Sequence, residues 1–223
     1  INESAWVFRR TFVIREEHFH RARLQFDGVD YYADVWLNGQ YIGQHEGHFN
    51  PFVFDITPYL RHGEDNELVV RVTAPWDAPN PRGTYPTDHV IRGLVKGLYE
   101  HGEGVIPPDV NPIGIWRPVW LLLDNGLSID AVRLQTALDG TVSLELSVFN
   151  ATGAAREGTL DLGVTGENHI GPGVEAALPV LLAAGLNILK TTLHIPEQRL
   201  WWPRGHGSPD LYHLKLTVRD TTT

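Results

Sequence analysis

Residues 33–43 read Ala33-Asp34-Val35-Trp36-Leu37-Asn38-Gly39-Gln40-Tyr41-Ile42-Gly43. An Asn-Gly pair between two apolar-rich arms is the strongest short-range signal for a tight β-hairpin, because both turn positions need a positive φ that Asn and Gly tolerate. Outward from this hairpin the dominant period is two. Val142, Leu144, Leu146 and Val148 alternate with Ser143, Glu145 and Ser147. Ala22, Leu24 and Phe26 alternate with Arg23, Gln25 and Asp27, and the pattern returns at Leu68-Val70-Val72, Leu160-Leu162-Val164, Leu189-Thr191-Leu193-Ile195 and Tyr212-Leu214-Leu216-Val218. Such runs predict strands with one buried and one wet face.

The punctuation agrees with this reading. Asp139-Gly140 predicts the turn before the strand at 141. Helix is nearly absent; Thr57-Pro58-Tyr59-Leu60 predicts a single turn with Thr57 as N-cap and Pro58 at the first helical position. Many short strands with little helix predict an all-β chain of sandwich or jelly-roll type. Five of the seven tryptophans (Trp6, Trp36, Trp76, Trp116, Trp120) fall before Asp124, whereas the stretch after it is aliphatic and regular, so two domains are expected, 1–124 and 125–223, joined near Asn125-Gly126. The second has the length of one immunoglobulin-like sandwich.

Composition excludes several functions. The 223 residues carry 18 Lys and Arg against 27 Asp and Glu, a net charge of −9, and the basic residues form no cluster. That argues against nucleic acid and against an anionic membrane surface as partners. The longest nearly apolar stretch, from Ala176 to Leu189, is broken by Pro179, Gly185 and Asn187 and is shorter than the roughly 20 residues a spanning helix needs. Zero cysteine removes disulfides, Cys-ligated zinc and thiol catalysis while leaving the redox compartment open. With no export signal at Ile1-Asn2-Glu3-Ser4, a cytoplasmic home is the expectation, and a start without methionine predicts a piece of a longer polypeptide.

Several motifs that carry chemistry elsewhere are weak here. Gly205-His206-Gly207-Ser208 has the wrong register for a nucleophile elbow and reads as a turn. His45-Glu46-Gly47-His48 has a spacing of three rather than the four a helical zinc motif requires, and it reads as a loop. His18 and His20 are expected on one strand face, short of a full ligand set, so no metal and no cofactor are predicted. Glu16-Glu17, Glu64-Asp65, Glu100 and Glu103 are adjacent in sequence or lie in turns, and nothing in the sequence places two of them across a cleft as glycoside hydrolysis would need. Asn150-Ala151-Thr152 matches a glycosylation sequon by chance as easily as by function.

The stretch between Ala74 and Arg117 departs from the strand rhythm. It holds seven of the fifteen prolines together with Trp76, Tyr85 and Tyr99, and loops of this length inside a domain are usually functional or disordered. Its aromatic content argues against disorder. A sugar offers an apolar face that stacks on Trp or Tyr and hydroxyls that seek polar partners. Trp76, Tyr85 and Tyr99, with Asp77, Asn80, Arg92, His101, Asp109 and Asn111, supply both kinds of group.

A family resemblance rests on motifs in order along the chain. Phe26-Asp27-Gly28-Val29-Asp30, the 33–43 hairpin and Gly47-His48-Phe49-Asn50-Pro51-Phe52-Val53-Phe54-Asp55-Ile56-Thr57 resemble the sugar-binding jelly roll of glycoside hydrolase family 2, which holds β-galactosidases, β-mannosidases and β-glucuronidases. Trp6-Val7-Phe8-Arg9-Arg10-Thr11-Phe12 and Gly114-Ile115-Trp116-Arg117-Pro118-Val119-Trp120-Leu121 fit the same domain. Leu200-Trp201-Trp202-Pro203-Arg204-Gly205-His206-Gly207 with Leu211-Tyr212 resembles the family's immunoglobulin-like second domain. The Trp116 and Trp201-Trp202 positions are expected to be large apolar anchors.

The resemblance implies a galactose-binding-like jelly-roll sandwich followed by an immunoglobulin-like β-sandwich. It places the catalytic glutamates in a TIM barrel that follows these domains, so this chain alone is expected to be inactive. The implied partners are that barrel, a β-linked carbohydrate in its pocket, and a second copy in a homo-oligomer. Residues ahead of the Gly-Ile-Trp-Arg motif reach the pocket in relatives; Asp109, five positions before Gly114, is the nearest acidic counterpart, and Asn111, Trp76, Tyr99 and His101 complete the expected rim. Ile106-Pro107-Pro108-Asp109-Val110-Asn111 departs from the galactosidase and mannosidase versions, which leaves the sugar open. The rival expectations are a free-standing carbohydrate-binding module or lectin, and an adhesion-type β-sandwich that binds protein.

Overall fold

The computed structural model describes residues 5–16, 18–73 and 113–221. The chain divides into two compact units, Ile1–Leu123 and Asp124–Thr223. Among the described residues, nine strands follow in order in the first: β1 (Trp6–Val13), β2 (Arg21–Phe26), β3 (Val29–Asp30), β4 (Tyr32–Leu37), β5 (Gln40–Glu46), β6 (Phe52–Asp55), β7 (Asp65–Thr73), β8 (Gly114–Ile115) and β9 (Val119–Asp124). They form a four-stranded sheet in the order β1-β7-β4-β5, a three-stranded sheet β6-β2-β9 and the short pair β3-β8. This is the jelly-roll sandwich.

The apolar faces predicted by period two meet in one core. Ala22, Leu24 and Phe26 from one sheet and Ala33, Val35, Leu37, Leu68, Val70 and Val72 from the other are buried together. Each Val or Leu taken fully out of water stabilises by roughly 1.5–3 kcal/mol, which is why the alternation decides the sheet faces. The Asn38-Gly39 turn joins β4 to β5 with φ values of 53° and 79°, as a two-residue hairpin requires. Asn38 has a second duty: its amide donates to Tyr59 O (2.8 Å) and Asn66 Oδ1 (2.9 Å), and its oxygen accepts from Glu67 N (2.9 Å). Asn66, fully buried, accepts from Arg61 N (2.8 Å) and donates to Arg61 O (2.8 Å). A half-buried Asn38 and a buried Asn66 satisfied in this way tie the hairpin to the β6–β7 connection.

Three expectations are corrected here. The turn at Thr57–Tyr59 is a single 3₁₀ turn whose cap position is Ile56, with no side-chain cap. The Thr57 hydroxyl instead accepts from Ala22 N (2.9 Å) and donates to Asp55 Oδ1 (2.6 Å), because the neighbouring strand offers a backbone N–H within reach. His18 and His20 lie in the connection between β1 and β2, outside any strand, while His45 and Glu46 belong to β5 rather than to a loop. Among the described residues no helix is long and apolar enough to cross a membrane, and no group of three or more His, Asp or Glu is placed to hold a metal ion.

The second unit has β10 (Leu127–Thr136), β11 (Thr141–Asn150), β12 (Arg156–Gly166), β13 (Val174–Leu182), β14 (Gly185–His194) and β15 (Tyr212–Asp220). Two three-stranded sheets, β10-β11-β14 and β13-β12-β15, make an immunoglobulin-like sandwich. Val142, Leu144, Leu146 and Val148 of β11 share a core with Leu160, Leu162 and Val164 of β12. Asn150 is 1% exposed, and its amide donates to Ala154 O (2.8 Å) and Leu182 O (3.0 Å), so the sequon there is a structural asparagine unavailable for glycosylation.

Charge pairs decorate the wet faces of both of these sheets. Arg219 donates to Asp161 (2.8 Å), and Lys190 sits 2.9 Å from Glu145. The hydrogen bond from Arg219 holds the Asp161 carboxyl below the usual carboxylate range, and the bond from Lys190 does the same for Glu145. A lowered folded-state pKa favours folding above the ordinary carboxylate value and loses that contribution as pH falls through the lowered one. The urea midpoint of the second unit is therefore expected to hold near neutrality and to decline below about pH 4. Asp161→Asn should lower the neutral-pH midpoint slightly and flatten the acid decline. A steeper decline in the variant would contradict the assignment.

Candidate functional site

The five expected rim residues, Trp76, Tyr99, His101, Asp109 and Asn111, lie outside the described residues, within the segment 74–112. What the structure describes is the frame on either side of that segment. On the upstream side, Thr73 ends β7 and pairs with Tyr32, and Tyr31 N donates to Thr73 O (3.3 Å). On the downstream side, Gly114 pairs with Asp30 and Ile115 with Val29. Both flanks are thus fastened to one tripeptide, Asp30-Tyr31-Tyr32, where β3 passes into β4. Strands that pin both ends of a connection supply the rigid scaffold on which functional loops are carried.

A cluster of charged and aromatic side chains surrounds this frame. Asp30 is 4% exposed, and one carboxyl oxygen lies 3.0 Å from His48 Nδ1. Burial pushes the Asp30 carboxyl up, against the opposing pull of His48. Its other oxygen, Oδ1, is buried with no hydrogen-bond partner among the described residues. The His48 ring lies 4.2 Å from Phe49 and 5.1 Å from Trp116, and Trp116 Nε1 donates to His48 O (3.0 Å). Gly28 lies directly beneath the indole. A Cβ there would stand 2.8 Å from the ring, so only glycine lets Trp116 close down. Arg117 covers the indole at 4.4 Å from its centroid, and Trp120 Nε1 donates to Asp27 (2.7 Å). Bonds from Gln25, first, and Trp120 hold the Asp27 carboxyl below its usual range.

Chemically, this cluster can fix the flanks of the segment and present a hydrogen-bond acceptor beside a half-exposed indole. Trp116 is an anchor only in part, since it is 42% exposed. Trp201 and Trp202, also expected as anchors, are 58% and 47% exposed. Asp30 and His48 went unassigned in the sequence although both fall inside the quoted motifs. Their pairing depends on β3 and the β5–β6 loop meeting in space, which no local pattern signals.

Comparison with known proteins places these features. The family model described as "Glycosyl hydrolase 2 galactose-binding domain-like" matches residues 1–117, and that described as "Glycosyl hydrolases family 2" matches residues 127–223. The chain is 25% identical over 228 residues to an exo-β-D-glucosaminidase of Hypocrea virens, covering 95% of this chain and 23% of that protein. It is 28% identical over 231 residues to a mannosylglycoprotein endo-β-mannosidase of Lilium longiflorum, covering 96% and 24%. The solved structure of a β-D-mannosidase from Dictyoglomus thermophilum superposes with a TM-score of 0.70 at 24% identity, over 97% of this chain and 27% of that one, which shows the shared fold. This chain thus spans about a quarter of the length of the relatives it matches. With both units matched, in order and over nearly all its length, the chain belongs to glycosyl hydrolase family 2.

Proposed function

We propose that these two sandwiches are the non-catalytic front part of a retaining β-glycosidase and contribute to the sugar pocket of a TIM barrel elsewhere in the same polypeptide. Retaining hydrolysis needs an acid/base carboxyl and a nucleophilic carboxylate about 5–5.5 Å apart, with a glycosyl-enzyme intermediate between two displacements. In this reading the barrel supplies both groups. The jelly roll supplies the pocket rim from the segment 74–112, with Asp109 and Asn111 hydrogen-bonding sugar hydroxyls and Trp76, Tyr99 and His101 packing on the ring.

The observation that carries this reading is the frame itself. Both flanks of an aromatic-rich segment are fastened to Asp30-Tyr31-Tyr32 in a chain whose two units match family 2 in order. The substrate class is a β-linked sugar; the relatives' names span glucosaminide and mannoside, so the particular sugar is left to experiment.

The test is activity of the whole polypeptide that carries this chain, on a panel of aryl β-glycosides. Asp109→Ala is expected to lower kcat/KM by about tenfold or more, the loss of one hydrogen bond to a charged acceptor. Glu64→Ala, in the turn before β7, is expected to leave it within about twofold, as distant surface substitutions do. Equal effects would remove Asp109 from the pocket, and a whole polypeptide inert on every β-glycoside would end the reading.

A further inference from the structure

The tryptophans of the second unit present an unexpected surface. Trp201 (58% exposed) stands beside Leu138 (80%), Leu134 (46%) and Leu211 (46%) around a cleft of about 410 Å³ floored by Val142, Val164, Ile195 and Leu214. The loop that carries Trp201 is firmly tied. Arg199 Nε donates to Asp210 (2.7 Å), Arg199 N donates to Tyr212 Oη (2.7 Å), and Trp202 N donates to Ser208 O (3.0 Å). Asn168 clamps its far arm, donating to Pro209 O (2.9 Å) and accepting from Leu211 N (2.8 Å). The loop that presents Trp201 is therefore held by structure and is not a frayed end. A contiguous, preformed apolar surface of this kind marks an interaction site, and tryptophan is among the residues most enriched at the centres of such sites.

The chemistry of the cleft selects its occupant. Most of the cleft is lined by apolar side chains, and two of its polar groups are turned to the protein itself: Gln198 donates to Leu138 O, and Arg199 is paired with Asp210. A sugar needs polar partners for hydroxyls all round its ring, whereas apolar protein side chains match the Leu, Val and Ile lining that makes up most of this cleft. A prepaid geometry also lowers the ordering cost of docking. The matched relatives are about four times as long as this chain, so a polypeptide of this family holds ample further protein to cover the cleft. We infer that the Trp201–Leu138 cleft is the socket into which another domain of the same polypeptide inserts apolar side chains. This rests on the reading of the chain as part of a longer enzyme, and it assigns the partner surface that reading requires.

Hydroxyl-radical footprinting read by mass spectrometry tests it on two proteins, the 223-residue chain and the whole polypeptide. Trp201, Leu138 and Leu211 are expected to be oxidised readily in the 223-residue chain and to be protected by about fivefold or more in the whole polypeptide, because a docked core excludes water. Ile170, 98% exposed, should be labelled equally in both and serves as the internal reference. Equal labelling of Trp201 in the two proteins would overturn the inference. So would protection already present in the 223-residue chain, whether constant on dilution (an occupant within the chain), lost on dilution with a dimer seen in sedimentation (a second copy), or induced by millimolar methyl β-glycoside (a sugar site).

Leu138→Asp supplies the second arm. In the 223-residue chain it should leave Tm within about 1 °C, as exposed turn substitutions do, while in the whole polypeptide it should restore oxidation of Trp201. Unchanged protection in that variant would also overturn the socket. The footprint needs no turnover, so a protected but inactive polypeptide would refute the proposed glycosidase and leave the docking surface standing, and an active, unprotected one would do the reverse.

Discussion

Phe26→Ala is expected to destabilise the jelly-roll unit by about 3–5 kcal/mol, the range for removing a fully buried aromatic ring. Phe26 is 0% exposed and lies at the centre of an aromatic stack, with the Phe52 ring 4.7 Å away and nearly parallel and the Phe54 ring edge-on at 6.5 Å. Relaxation around the cavity is restricted. Phe54 is wedged over Gly43, where even a Cβ would stand 2.3 Å from the ring, and Phe52 is sandwiched on its other side by His45 at 4.0 Å. Neither ring can move in to fill the space, so the loss should fall toward the upper part of that range. Because the two units have separate cores, urea unfolding followed by circular dichroism should show the first transition moving while the second keeps its midpoint. A loss below about 1 kcal/mol would mean that the stack is not the centre of this core.

The second large effect belongs to the other unit. Gly140→Ala is expected to cost about 2–4 kcal/mol, because two independent penalties meet at one atom. Gly140 has φ of +88°, where a side chain is strained, and its added Cβ would stand 2.5 Å from the carbonyl oxygen of Ile195. That contact is with backbone, and the same strip is held by the bond from Ile195 N to Gly140 O (2.9 Å), so the neighbour has no soft direction in which to yield. Gly39→Ala separates the two penalties. Gly39 has φ of +79° with nothing within 4 Å of an added Cβ, so it should show only the backbone strain of about 1–2 kcal/mol. Thermal unfolding of the two variants compares them directly, and equal losses would show that the Ile195 contact relaxes freely.

Gly140 also illustrates what was legible in advance. Asp139-Gly140 announced a turn because a positive φ has a local chemical requirement, and the turn is there: Asp139 Oδ1 accepts from Thr141 N (2.9 Å), and Gly140 N donates to Ala137 O (3.1 Å). The contact with Ile195 was not announced, since Ile195 approaches only once β14 pairs with β11. Thr57 shows the same divide. Its place before Pro58 predicted an N-cap by local rules, but a neighbouring backbone N–H on β2 claimed the hydroxyl. The tryptophans were misread for a related reason. A large apolar side chain lowers its free energy by leaving water, and sequence cannot say whether the cover comes from its own domain or from elsewhere. At Trp201 the local fold leaves more than half of the side chain uncovered.

For the candidate site, the sequence marked the stretch between Ala74 and Arg117 through its prolines and aromatics, and the rim residues expected there lie outside the described structure. The structure contributed the frame around it: Asp30 paired with His48, Trp116 closed over Gly28, and both flanks joined to residues 30–32. None of these pairings has a sequence period, because each joins groups brought together by sheet formation.

By itself, then, the sequence determined the all-β class, the hairpin at Asn38-Gly39, the buried face of each alternating strand and the family motifs in their order. These follow from local backbone preference and from the period-two cost of exposing apolar side chains. Tertiary structure alone decided which strands are neighbours, which buried carboxyl meets which histidine, and that Trp201 faces outward over an apolar cleft. Those outcomes depend on groups far apart along the chain, whose encounter energies exist only after the sheets have closed.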